Sequence, residues 1–455
     1  MGRARRPRPA GARARPDGAQ PRRGRERPHG ARGGAPLPAR ARGARRAARR
    51  VTLVIRHARV VTLADGPRPR RGAALGTLGV LPDHDVLVHG PRIEGLYPGG
   101  HAPRAERELH AHGRALLPGF VDCHTHACWA GDRVGEWLLR LQGATYLEIQ
   151  RAGGGIMATV RAVRATPEAE LAALTRARLA QLAHLGTTTA EVKSGYGLDA
   201  ATELRMLRAI AAAAHALPGT VVPTALLGHA LDPDDPAFVE RTVTDTLDAV
   251  HAAFPGIAVD AFCERGAWTL ADTTRLLGRA RALGHPVRVH ADQFTALGMV
   301  DAAIALGARS ADHLEASDRP TLERLAASAT YGVVLPVAGF HLDDRYADAR
   351  RFVDAGGALA LATNWNPGSA PSPSMPFAIA LAVRKCGLTP AEAIAAATVN
   401  AASLLGLDDR GTIAPGQRAD LVLLRHQDER ILAWALADDP VAAVVAGGRV
   451  VRQDD

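Results

Sequence analysis

Eight short apolar runs, separated by longer Ala/Leu/Arg-rich stretches, constrain this chain more than any other feature. The runs are ALLPGFVDCH (115–124), TTTAEVKSG (187–195), TVVPTALLGH (220–229), IAVDAFCE (257–264), PVRVHAD (286–292), RSADHLE (309–315), TYGVVLP (330–336) and ALALATN (358–364). Their length and continuous hydrophobicity predict strands buried on both faces. The intervening stretches 167–185, 199–216, 237–253, 269–283, 295–306 and 319–328 carry helical spacing. Such alternation predicts the α/β class and a TIM-like (β/α)8 barrel. A doubly wound sheet would be expected to carry a Gly-rich phosphate turn after a strand, and no GxGxxG stands in that context. The glycine cluster AGGGI (152–156) follows a helical stretch and reads as a loop near the site.

The chain ends read differently. Residues 51–62, 85–98 and 106–116 look like short antiparallel strands, and ADLVLLR (419–425) and VAAVVAGGRVVRQ (441–453) repeat that style. One small β-sandwich domain is therefore expected from both ends, residues 51–114 with 409–455, beside a barrel of residues 115–408. Residues 1–50 hold 17 arginines and two acids, Asp17 and Glu26, a net of +15. The chain total is +10, so the remainder stands at −5 and offers no basic surface for nucleic acid. The tail has too few large apolar residues to order itself. It reads as a disordered extension ahead of a start near Val51, in preference to a nucleic-acid-binding arm.

No run of 18 apolar residues exists, so no membrane span is expected. The tail has no secretory h-region and no serine, which speaks against a targeting signal. Cys123, Cys128, Cys263 and Cys386 are scattered without a CxxC, as reduced thiols of a cytoplasmic enzyme would be.

In a (β/α)8 barrel, chemistry sits where strands end at the C-terminal face. Those ends carry His124, His126, Lys193, His229, Glu264, His290, His313 and Asn364. His124 and His126 are two apart, so on a strand both face one way. With His290 they offer three imidazole nitrogens to one divalent ion, zinc or iron, with a position left for water. His313 is either a proton shuttle beside that water or a core histidine bonded to Asp312 or Glu315. Arg133, on the first barrel loop, is either a solvated surface group or a bidentate clamp for a substrate carboxylate. Tyr196 sits on a glycine-flanked loop that can aim its phenol inward. Lys193 is one of only two lysines. It has either a functional role or a salt bridge to Glu191 or Glu264.

PGFVDCHTH, GDR, LQGATYLEIQRAGGGIMATVRAVR, EVKSGYGLD, TALLGHAL, VHADQ, ADHLE and NPGSAPSPSM together resemble the imidazolonepropionase family of the metal-dependent amidohydrolase superfamily. The likeness runs from about residue 51 to the C-terminus. It implies hydrolysis of 4-imidazolone-5-propanoate to N-formimidoyl-L-glutamate, a step of histidine degradation, and a homodimer. It matches His124, His126 and His290 to metal ligands. Arg133, Tyr196, His229, Gln293, Asn366, Gly368 and Ser369 match substrate contacts. His313, helped by Gln293, falls beside the reacting centre.

One position departs from that pattern. The family usually has Asp, as fourth metal ligand, where this chain has Asn364. Asn can lend its side-chain oxygen to a metal but is neutral and cannot act as a base at pH 7. The expectation is retained metal binding and activity, with His313 taking over proton transfer. The alternatives are a catalytically impaired homologue, another cyclic amidohydrolase or nucleobase-type deaminase, and a non-catalytic ligand- or metal-binding protein.

Overall fold

The chain begins with β1 (Thr52–Val61), β2 (Val80–His89), β3 (Arg92–Pro98), β4 (Arg107–His110) and β5 (Ala115–Pro118) in the computed structural model, which describes residues 52–144, 148, 154–436 and 438–454. Expectations for residues 1–50, and for Ala152 and Gly153 of the glycine cluster, lie outside the described residues. β1 pairs antiparallel with β2, and β2 with β3; the other edge of β1 takes β4 and then β5 in parallel.

The barrel follows as β6 (Phe120–Asp122), β7 (Thr187–Lys193), β8 (Thr220–Gly228), β9 (Ala258–Cys263), β10 (Arg288–Ala291), β11 (Ser310–His313), β12 (Tyr331–Val334) and β13 (Leu359–Leu361). All eight are parallel and paired in chain order. The chain then returns to the first sheet as β14 (Leu421–Leu424), β15 (Val441–Ala446) and β16 (Arg449–Gln453). The expected barrel and chain-end β domain are thus what the chain forms. β5 lies between β1 and β14, so the two sets of end strands become one continuous mixed sheet of eight strands. A small core of β1–β5, β14 and β15 side chains serves it, and Val54, Leu87 and Ala102 form a second, smaller cluster.

The run 115–124, read as a single barrel strand, is divided. Ala115–Pro118 belongs to the chain-end sheet, where it pairs antiparallel with β14, and the barrel begins at Phe120. The expected domain boundary at 115 therefore moves to Gly119. The bond from Gly119 N to Asp420 O, at 2.8 Å, is the last toward β14, and Phe120 N then donates to Gly186 O at 3.0 Å, ahead of β7. A Cβ on Gly119 would lie 2.2 Å from Thr188 Oγ1, so only glycine passes there.

The barrel closes at its mouth, between the first and last strand extensions. Asn364 N donates to His124 O at 3.1 Å, and His126 N donates to Trp365 O at 3.3 Å. The residues that complete the cylinder are therefore the residues expected to do chemistry. Every residue of β7 is buried, Glu191 and Lys193 included. Charges at such depth need partners. No described helix is long and apolar enough to cross a membrane.

Candidate active site

Past β6 the chain stays extended through Cys123–His126. Thr125 turns toward β7, where its N donates to Glu191 Oε2 (3.1 Å) and its Oγ1 to Glu191 O (2.6 Å). Alternation then sends His124 and His126 together to the opposite side. His290, from β10, meets both: its ring centre lies 4.5 Å from that of His124 and 5.4 Å from that of His126. His313, ending β11, stands 5.5 Å from His290 and 5.9 Å from His124. Donor atoms of His124, His290 and His313 lie within 4.8 Å of one another. His126 joins them through His290, with the two Nε2 atoms 3.3 Å apart. Four imidazoles thus border one space.

Carboxylates behind them decide which lone pairs face inward. His124 Nδ1 donates to Asp312 Oδ2 (2.6 Å), and His290 Nδ1 donates to Asp260 Oδ1 (3.2 Å). Each ring is left with an unprotonated Nε2, the tautomer a metal requires. His313 Nδ1 donates to Glu315 Oε1 at 3.2 Å, so Glu315, one of the two partners expected from sequence, holds it, while Asp312 serves His124.

These atoms fit a metal. Two nitrogens about 2.0–2.1 Å from a shared tetrahedral ion stand about 3.3–3.4 Å apart, the spacing of His126 and His290. His124 Nε2 and Asn364 Oδ1 are buried and have no protein partner. Burial, with Lys193 beside His124 and His229 beside His126, holds both imidazoles well below the ordinary histidine range. Burial also lowers His290, against the pull of Asp260. Neutral rings keep their lone pairs for a cation. Asn364 Nδ2 donates to Ser369 Oγ at 3.3 Å, which leaves the amide oxygen as its free end.

Beneath the histidines lies a charged layer of which the sequence showed Lys193 and Glu191 but not Asp260 or Arg288. Lys193 Nζ sits 2.8 Å from Glu191 Oε1 and 2.9 Å from Asp260 Oδ2. Arg288 Nη2 sits 2.7 Å from Asp312 Oδ2, and its Nη1 donates to Cys123 O at 2.7 Å. Burial and Arg288 push the Lys193 ammonium down, yet Asp260 and Glu191 outweigh them and raise it. Burial would raise the Asp260 carboxyl, but His290 and Lys193 hold it well below the carboxylate range. Lys193 is therefore a salt-bridge residue, with Glu191 as expected but with Asp260 in place of Glu264. Glu264 instead accepts from Phe294 N (2.9 Å) and Thr295 N (3.1 Å), holding the loop that carries Gln293. The available signal was a charge inside an apolar run: Asp260 in IAVDAFC and Arg288 in PVRVH.

The other expected residues form a second, polar side. The His229 ring stacks on His126 at 4.9 Å and 23°, and Tyr196 lies 4.9 Å from His229. His229 Nδ1 donates to Gly195 O (3.0 Å), and burial drives its pKa to about 3, so its Nε2 is a fixed acceptor. Glu203 shapes the Tyr196 loop by accepting from Gly195 N, Gly197 N and Leu198 N at 2.7–3.1 Å. Asn366 bonds Tyr196, and its Oδ1 accepts from Gly368 N (2.8 Å) and Ser369 N (3.2 Å). Arg133 lies against Gly368, where a Cβ would stand 3.0 Å from Arg133 Nη1. Asp292, His313, Leu314 and Asn364 all have left-handed backbones, with φ of 56°, 88°, 73° and 65°. Non-glycine residues hold that conformation only where the surroundings impose it.

The model of the Amidohydrolase family matches residues 115–451. Imidazolonepropionase of Herpetosiphon aurantiacus is 46% identical over 410 residues, covering 86% of this chain and 96% of that protein. Imidazolonepropionase of Deinococcus radiodurans is 45% identical over 382 residues, covering 84% and 95%. Among solved structures, atrazine chlorohydrolase from Arthrobacter aurescens complexed with zinc aligns at a TM-score of 0.66 and 19% identity, covering 88% of this chain and 95% of that one. N-isopropylammelide isopropylaminohydrolase from Burkholderia multivorans aligns at 0.63 and 19%, covering 89% and 98%. Those two likenesses speak for the fold, while the sequence relatives speak for the branch. On this evidence the chain belongs to the amidohydrolase family and, within it, to the imidazolonepropionases, hydrolases of carbon–nitrogen bonds.

Proposed function

We propose that the chain hydrolyses the ring C–N bond of 4-imidazolone-5-propanoate, yielding N-formimidoyl-L-glutamate. One observation carries this reading: the buried ligand atoms His124 Nε2 and Asn364 Oδ1 have no protein partner, and His126, beside His124, stacks on His229, which Tyr196 adjoins. His124, His126, His290 and the Asn364 oxygen would hold a zinc or iron ion, whose Lewis acidity polarises a carbonyl and acidifies water.

Arg133 binds the propionate, and Tyr196 with the neutral His229 orients the ring. Asn366, Gly368 and Ser369 shape the wall beneath it. Water adds to the ring carbonyl carbon and the adjacent C–N bond breaks. His313, oriented by Glu315, takes the proton from the attacking water and delivers one to the departing nitrogen. Gln293 supports that transfer by hydrogen bonding. Four free, buried cysteines accord with a cytoplasmic setting.

Asn364 favours a second reading, an impaired homologue. It cannot accept a proton, so the two readings separate on one comparison. Turnover of the imidazolone substrate is measured for the natural chain and for Asn364→Asp, with metal content determined alongside. Measurable turnover by the natural chain supports the proposal. Metal-loaded natural protein without turnover, with activity appearing in Asn364→Asp, rejects it in favour of impairment.

A further inference from the structure

Arg133 does not wait alone for its ligand. Its Nη2 lies 2.5 Å from Glu136 Oε2, three residues on in the helix Val134–Leu141, and both side chains are largely buried at 13% and 17% exposure. Its Nη1 reaches Thr159 Oγ1 at 3.4 Å. Its Nε is buried and has no partner. A guanidinium has five donors, and a buried donor left unmet is costly. The geometry therefore shows a cation with one carboxylate already on it and a buried donor still unmet.

From this we infer that Glu136 is a built-in competitor for the carboxylate clamp. It acts through Arg133 and sets how strongly that clamp holds an anionic substrate tail. The inference rests on the reading of Arg133 as the propionate clamp. Two carboxylates on one guanidinium repel each other, so the substrate binds against the charge of Glu136. The cost falls on binding and is shared by ground and transition states, so it enters KM and leaves kcat alone. It also favours ligands able to engage the free donors in a paired, planar manner over diffuse anions. Glu136 is not needed to hold the clamp in place. The Arg133 guanidinium is also flanked by Thr159 and by the backbone of Gly368. Removing the Glu136 charge should therefore tighten binding.

The test compares the natural chain, Glu136→Gln and Arg133→Gln. KM and kcat are measured with 4-imidazolone-5-propanoate, and inhibition constants with imidazole-4-propionate and its uncharged primary amide. Thermal melts show whether each variant is folded. Glu136→Gln is expected to lower KM and the inhibition constant of the acid by about three- to tenfold, as befits a partly screened charge pair. It should leave kcat within about twofold and the amide unchanged, and the gain should shrink as salt is added. An unchanged or raised KM in folded Glu136→Gln, or equal tightening of acid and amide, overturns the inference. Should Arg133→Gln leave KM unaltered, the clamp reading itself fails and the inference falls with it. A raised KM in Arg133→Gln beside an unmoved Glu136→Gln refutes only the competitor.

Discussion

Replacing Asp312 by Asn tests whether the buried charge layer prepares the histidines for a metal. Asp312 Oδ2 accepts both His124 Nδ1 at 2.6 Å and Arg288 Nη2 at 2.7 Å, and its side chain has no exposure. Asn keeps the shape but changes two things. It removes one of the three carboxyl groups that face Lys193 and Arg288. It also leaves a neutral amide oxygen at the position of Oδ2, a weaker acceptor for the His124 Nδ1 proton than a carboxylate, so the His124 tautomer whose Nε2 carries the proton gains population. A protonated Nε2 cannot ligate. Losing a partner of this kind typically weakens metal binding by 10- to 100-fold, about 1.4–2.7 kcal/mol. Stripping a buried cation of its carboxylate costs about 3 kcal/mol or more in stability. The assay is competition of metal-free protein with a chromophoric chelator for zinc, with urea unfolding of the same samples. Asp312→Asn should bind zinc at least tenfold more weakly than the natural chain and unfold at lower urea. Equal zinc affinity in a folded variant would refute the claim that this layer sets the lone pairs.

Two further outcomes concern stability. Burial would raise the Asp85 carboxyl, but bonds from His57 N, Arg56 and Ala102 N hold it at about 2. At 1.36 kcal/mol per pKa unit, the fall from 3.8 to about 2 contributes roughly 2 kcal/mol. The folded value is the lower one, so this contribution is complete above pH ~4 and vanishes as pH drops toward ~2. Asp85→Asn should lose that slope, and urea midpoints between pH 5 and 2 that run parallel for both proteins would contradict it. Gly119→Ala places a Cβ 2.2 Å from Thr188 Oγ1 and 2.6 Å from its Cγ2. It should cost about 1–3 kcal/mol, and Thr188→Ala should recover part of the loss; an unshifted urea midpoint in Gly119→Ala would count against the close approach.

The order of strands and the types of residue at their ends were legible in the sequence. Buried parallel strands must be apolar throughout, so each run announced itself, and its final polar residue announced the mouth. The two-residue spacing of His124 and His126 gave their common direction without any structure. What periodicity reports, however, is the face a side chain takes within its own strand. The partner it meets depends on register and on closure of the cylinder. Asp312 holds His124 across 188 positions, and Asp260 holds His290 across 30. Glu136 was close enough to Arg133 to be seen but looked like any helical acid until burial was known. The transfer of Ala115–Pro118 to the chain-end sheet was hidden because both sheets demand the same apolar residues there. The left-handed backbones of His313, Leu314 and Asn364 have no sequence signal, since packing imposes them against local preference. Residue type and spacing settled which groups reach the barrel mouth; only the closed tertiary structure settled their tautomers, charges and partners, because those arise between strands and not along them.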